Sequence, residues 1–149
     1  MIYLGADHAG FALKEHIKLW LTEWNMEYED LGNTIFDADD DYPDFAFKVA
    51  ENVTKDPNNR GILTCQSAAC MVIAANKVKG IRAVAVFDNF TSEHSREHND
   101  SNIVALPGMH LSEEKTKEIL KIWLETPFGN EERHKRRLEK INKFENSCC

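Results

Sequence analysis

Cys65 closes the apolar run Gly61–Thr64 and precedes Q-S-A-A-C-M-V-I-A-A-N-K-V, a stretch rich in Ala, Met and Ile. The run has the length of a short buried strand, and Ala68 to Val78 has the composition of a helix, so the thiol falls at a strand-to-helix turn. Free N–H groups and the dipole at a helix N-terminus favour thiolate, the basic and nucleophilic form. Downstream, R-E-H-N-D-S-N over Arg96 to Asn102 carries the imidazole of His98 in a polar loop at the mouth of the next strand. A thiolate and an imidazole suit proton transfer on a small anionic molecule. A second reading of Cys65, as a small buried hydrophobe, stays open at this point because free cysteines are among the most buried residues.

Three other groupings bear on chemistry. Gly5–Gly10 reads G-A-D-H-A-G and imitates a dinucleotide fingerprint, but Asp7 stands where the second glycine would let backbone approach a pyrophosphate, and its charge repels one. Asp7 and His8 instead offer a hydroxyl ligand or proton acceptor beside an anion-binding imidazole. His94-Ser95-Arg96-Glu97-His98 matches the H-x-x-E-H zinc-peptidase pattern. Such a site needs a third ligand and a cleft, and no further acid is placed to serve, so His94 is expected to face solvent from a helix. In Arg133-His134-Lys135-Arg136-Arg137, Arg133 and Arg137 lie one turn apart and form a fork suited to phosphate. They could equally pair with Glu131, Glu132 or Glu139 in surface salt bridges.

These groups must be positioned by 149 residues, the length of one domain. Eighteen Lys and Arg against 25 Asp and Glu give a formal charge of −7, so no overall basic field exists for nucleic acid or an acidic membrane, and any anion must be bound locally. The N-terminus lacks a basic and apolar leader pattern, and no apolar run approaches the roughly 20 residues of a membrane span, which gives a cytoplasmic expectation. Cysteines 65, 70, 148 and 149 form neither a C-x-x-C pair nor a secreted disulfide spacing. That agrees with a reducing compartment and argues against thiolate-bound zinc. Cys148-Cys149 reads as a mobile tail prone to artefactual oxidation.

Ile2 to Ala6 reads as a strand, followed by a helix with Leu13, Ile17, Trp20, Leu21 and Trp24 at helical spacing. Both tryptophans fit a core stripe. A strand at Tyr28 to Leu31 leads to an acidic loop, Asn33 to Tyr42, read as solvated. Pro43 opens a helix through Phe45, Val49, Ala50 and Val53. After the strand at Cys65 and its helix come a strand at Ile81 to Phe87, a helix at Ser92 to His98, a strand at Ile103 to Leu106, and helices at Ser112 to Glu125 and about Glu131 to Phe144. Strands alternating with helices predict a five-stranded parallel sheet covered on both faces. Ligands bind outside the carboxyl ends of such strands, which singles out Asp7 and His8, Cys65 to Ser67, Asp88 and Asn89, and Pro107 to His110.

With A-D-H-A-G-F-A-L-K from Ala6, D-Y-P-D-F-A from Asp41, I-A-A-N-K-V-K-G-I-R-A from Ile73, R-E-H-N-D-S-N and R-H-K-R-R from Arg133, nearly the whole chain resembles the ribose-5-phosphate isomerase type B family, which also includes the galactose-6-phosphate isomerase subunits. The resemblance implies a Rossmann-like three-layer α/β/α sandwich and a homodimer or homotetramer whose active sites combine two subunits. It implies no metal or organic cofactor, with the helix at about 131–144 packing on a partner and 145–149 as a tail. The implied reaction interconverts an aldose phosphate and a ketose phosphate, most simply ribose 5-phosphate and ribulose 5-phosphate, through an enediolate. Cys65 is then the base, Ser67 contacts the reacting end, and His98 helps open the furanose ring. Asn99 orients the sugar, Asp7 and Tyr42 bind its hydroxyls, and His8, Arg133 and Arg137 hold the phosphate.

Two departures stand out. Where the family commonly has G-T-G-I-G after the cysteine, this chain has Gln66, Ser67, Ala68, Ala69 and Cys70, which brings strain wherever a lost glycine had positive φ. Ser67 keeps a hydroxyl where threonine is usual. His110 stands where an arginine typically contacts phosphate, which makes that contact pH-dependent. An active isomerase and a weak or inactive sugar-phosphate-binding relative, including one subunit of a two-component hexose-6-phosphate isomerase, both remain open. Retention of Cys65, His98, Asn99, Arg133 and Arg137 together favours the enzyme. A metal-dependent hydrolase is a third reading, separable by stoichiometric zinc in the purified protein.

Overall fold

The computed structural model describes residues 1–147; Cys148 and Cys149, read above as a tail, lie outside the described residues. Strands β1 (Ile2–Ala6), β2 (Tyr28–Asp30), β3 (Arg60–Cys65), β4 (Ala83–Ala85) and β5 (Ile103–Pro107) alternate with α1 (Phe11–Glu23), α2 (Tyr42–Val53), α3 (Ala69–Ala75) and α4 (Asn89–Glu97). Helices α5 (Glu113–Glu125) and α6 (Glu132–Ser147) follow. The sheet is parallel throughout, in the order β2-β1-β3-β5-β4. This is the expected Rossmann-like α/β/α sandwich.

The two faces follow from the two-residue period of a strand. Ile62, Val104 and Leu106 pack with Ile17, Leu21, Ile119 and Trp123 of α1 and α5. Leu63, Ile103 and Ala105 point the other way, into Val49, Ala50, Val53 and Ala74 of α2 and α3. Burial on both sides explains why the central strands read as continuous apolar runs.

Several boundaries differ from expectation. The fourth strand covers only Ala83–Ala85 rather than Ile81 to Phe87. Before it, the Asn102 side chain takes the Arg82 N–H, and at its first residue the Asn76 amide both accepts from the Ala83 N–H and donates to its carbonyl. Ile81 and Val86 are buried from outside the ladder, so their apolarity reported burial rather than strand. Helix α3 is shorter than Ala68 to Val78, since Ala68 is left-handed at φ 67° and the helix is capped at Asn76. Helix α4 begins earlier than Ser92 because Asp88 caps it, accepting the Thr91 N–H at 2.7 Å. Helix α6 runs past Phe144 to Ser147 and buries only His134, leaving Ile141 and Phe144 exposed.

Candidate active site

Parallel strands end together. Ala6 pairs with Thr64 and Cys65 with Pro107, so the loops after β1, β3 and β5 converge at the carboxyl edge. The loops are locked in place: a Cβ on Gly10 would lie 2.2 Å from the Thr64 carbonyl oxygen, a contact only glycine permits. The Thr64 hydroxyl donates to the Gly10 carbonyl at 2.9 Å, and the Gly108 N–H donates to the Cys65 carbonyl at 2.7 Å.

Cys65 is fully buried, as the hydrophobe reading has it, yet its sulfur sits in a polar setting. It accepts the Ala68 N–H at 3.1 Å and the Cys70 thiol at 3.0 Å. Burial, together with the adjoining Cys65 sulfur, pushes the Cys70 thiol up to about 12, so Cys70 is protonated and serves as donor. Ala68 alone of the glycine-replaced positions has positive φ, so the backbone strain of the altered loop is concentrated there. Ser67 is exposed beside it.

The Asp7 carboxyl is buried, accepts the Gly10 N–H at 2.9 Å and lies within 4.8 Å of both sulfurs. Burial raises its pKa, opposed by the hydrogen bond from Gly10. His8 next to it is exposed and bonded through Nδ1 to Asp40 at 2.8 Å, while its N–H donates to the same oxygen at 3.1 Å. The Asp40 hydrogen bond raises the His8 pKa and leaves Nε2 for a ligand. Asp40 also accepts from the Asn33 amide, and Phe36 meets His8 edge-on. The 33–42 segment is therefore not simply a solvated loop: its carboxylate orients an imidazole. Tyr42 opens α2 and His110 follows β5, both exposed at this same edge.

His98 and Asn99 lie elsewhere. Helix α4 leaves the carboxyl end of β4 and returns to the amino end of β5, so its C-terminus is at the edge opposite Cys65. The polar residues flanking them are structural: Arg96 donates to Asp100 at 2.8 Å and to the Ser101 carbonyl, Arg82 holds the other Asp100 oxygen, and Asn102 brackets Gly80 and Arg82. His98 and Asn99 are the side chains this clamp presents. His98 stacks on His134 of α6 with ring centres 4.3 Å apart. His94 does not face solvent as expected; its ring lies between Phe90 and His98, and its Nδ1 is buried without a partner. Arg133 bonds Glu131 at 2.7 Å on the surface, the salt-bridge alternative, whereas Arg137 makes no ion pair among the described residues.

One chain thus assembles two groups: Asp7, His8, Tyr42, Cys65, Ser67 and His110 at the carboxyl edge, and His98, Asn99, Arg133 and Arg137 around the end of α4 and the start of α6. A cleft of about 460 Å³ between Asp56, Arg82, Asn102 and Asn142 holds none of them. Sequence reasoning missed Asp40, Cys70 and His134. The first two had no signal besides an acidic run and a spacing; His134 stood inside R-H-K-R-R.

The family model described as Ribose/Galactose Isomerase matches residues 2–141. The putative sugar phosphate isomerase YwlF of Bacillus subtilis is 41% identical over 144 residues, covering 97% of this chain and 96% of that protein. The ribose-5-phosphate isomerase B of Mycoplasma genitalium, solved with bound ribulose-5-phosphate, superposes with a TM-score of 0.93 at 37% identity over 97% of this chain and 95% of that one. The type B ribose 5-phosphate isomerase of Trypanosoma cruzi does so with a TM-score of 0.94 at 41% identity over 99% and 97%. A parallel sheet carrying a buried, hydrogen-bonded thiol at the end of its middle strand, and matches over nearly the full length of each protein, lead to one conclusion: this chain belongs to the ribose/galactose isomerase family.

Proposed function

We propose that this protein interconverts ribose 5-phosphate and ribulose 5-phosphate by proton transfer through an enediolate. The observation that carries the reading is the Cys65 sulfur, held by the Ala68 N–H and the Cys70 thiol at a strand end beside Asp7. Two donors aimed at one sulfur fix its position at the strand end, where a base must be held against the substrate. The thiolate removes the proton from C2 of the open-chain aldose while the C1 carbonyl becomes an enediolate oxygen. Return of the proton to C1, with the O2 hydroxyl proton passing to O1, gives the ketose. Ser67 donates to the developing oxyanion, and Asp7 and Tyr42 fix sugar hydroxyls. His8, whose pKa the Asp40 hydrogen bond raises, pairs with the phosphate together with His110, Arg133 and Arg137.

The second group enters from a second copy of this chain. His98, for ring opening, and Asn99 cannot reach a sugar at Cys65 of their own chain because they occupy the other edge of the sheet. The exposed Ile141 and Phe144 of α6 are suited to packing on that copy. Ala68 supports activity over a binding-only role, since it adopts the left-handed turn without glycine and keeps its N–H on the sulfur.

The test is conversion of ribose 5-phosphate by the purified protein, paired with Cys65→Ala. Loss of turnover by about 10²- to 10⁴-fold in the variant, with phosphate affinity retained, is expected of a missing base. An unchanged rate removes Cys65 from the mechanism, and an inactive parent protein removes this substrate.

A further inference from the structure

Cys70 is absent from the assigned chemistry, yet its sulfur lies 3.0 Å from that of Cys65. We propose that Cys65 and Cys70 form an oxidisable dithiol, which a hydroperoxide converts into a disulfide inside the candidate active site. Its effect on turnover rests on the isomerase reading above; the cross-link itself does not.

The geometry favours a bond over shared ligation. A disulfide needs sulfurs about 2.05 Å apart, roughly one ångström of travel from where they stand. Two thiolates on a tetrahedral zinc with bonds near 2.3 Å sit roughly 3.8 Å apart, so metal binding would push this pair outward. The two residues flank a turn in which Gln66, Ser67 and Ala69 are exposed and Ala68 is strained, so the segment able to adjust is the one between them. Cys70 is only partly buried, which gives a small oxidant a route to the pair.

The chemistry closes without another reagent. The Cys65 sulfur, which accepts two hydrogen bonds, attacks one peroxide oxygen. The O–O bond breaks, Cys65 becomes a sulfenic acid, and the second oxygen leaves as water once protonated. The Cys70 sulfur then attacks the sulfenic sulfur; the S–O bond breaks, the S–S bond forms, and hydroxide departs as water with the proton from Cys70. Two thiols lose two electrons and hydrogen peroxide becomes two waters. The Asp7 carboxyl, within 4.8 Å of both sulfurs, is placed to pass those protons.

Gly61–Lys77 is a single tryptic peptide containing both cysteines and no other. The protein carrying Cys148→Ser and Cys149→Ser, which removes the tail thiols, is treated with hydrogen peroxide, alkylated with iodoacetamide and digested. The expected peptide is unalkylated and lighter by two hydrogens, and dithiothreitol before alkylation makes it take up two alkyl groups. Isomerase rate, scaled to the untreated protein, falls in proportion to the cross-linked fraction and returns with dithiothreitol. In Cys70→Ala, peroxide instead carries Cys65 to the sulfinic acid, and dithiothreitol restores nothing. Peptide that stays doubly alkylated, or gains oxygen on a cysteine without losing hydrogen, overturns the proposal. A cross-link formed with the rate intact upholds the dithiol and overturns Cys65 as base. Where the untreated protein is inactive, peptide mass alone decides the cross-link.

Discussion

The imidazole of His134 lies almost parallel to that of His98, at 13° between planes and 4.3 Å between centres. This contact ties the first turn of α6 to the end of α4. Burial foremost, and then the charge of His98, lower the His134 pKa from 6.5. The neutral form is favoured in the folded state, so the unfolded chain binds the proton first and stability falls as pH drops through and below 6.5. His134→Phe keeps a ring in the stack and removes the titration. Melting temperatures measured one unit above and one unit below 6.5 should differ more for the parent protein than for the variant. Equal differences would sink the account.

Asp40→Asn replaces the carboxylate that raises the His8 pKa with a neutral amide. His8 then loses its proton at lower pH, so KM for the sugar phosphate should rise roughly three- to tenfold on the alkaline side of 6.5 and change little on the acid side. The kcat should hold, because the imidazole is read as a phosphate ligand. A KM change independent of pH contradicts that role.

Ala68→Gly relieves a left-handed φ of 67°. An L-residue there costs about 1–2 kcal/mol, partly offset by the greater freedom of glycine in the unfolded chain, so a gain of about 1 kcal/mol is expected. For a chain of this size that corresponds to a rise of roughly 2–4 °C in Tm, read by thermal denaturation. A fall in Tm would show that the alanine methyl, fully buried in the core beside Cys65, contributes more than the strain.

On the proposed two-copy site, Cys65→Ala and His98→Ala should disable opposite halves. Each alone should be nearly inactive, and mixed after unfolding and co-refolding they should recover roughly a quarter of the parent rate, the statistical yield of one intact site in half of randomly paired two-fold dimers. No recovery, from a mixture shown to contain hybrids, places both residues in one chain's site.

The sheet was legible because its inner strands carry apolar residues on both faces, Ile62 against Leu63 and Val104 against Ile103. It was less legible at β4, where the Asn102 side chain takes the Arg82 N–H immediately before the strand begins. Asp7 and Cys65 could be placed because they end strands, which fixes their edge. The edge occupied by His98 depends on which way α4 runs after β4, and its motif, read at the mouth of the next strand, falls at the edge opposite Cys65. The Asp40–His8 bond spans 32 residues, and nothing local in the acidic run selects Asp40 over its neighbours.

The strand order has a consequence for how the chain reaches this state. No strand pairs with its partner through a hairpin: Ile2 meets Arg60 and Gly61 meets Ile103, so the middle of the sheet closes only when distant stretches find one another. Loop closure precedes reward in such a topology, and folding is slower than for a helical bundle of equal length. Until β3 settles between β1 and β5, both edges of its run Gly61–Thr64 are unpaired, the condition under which like strands of different nascent chains associate.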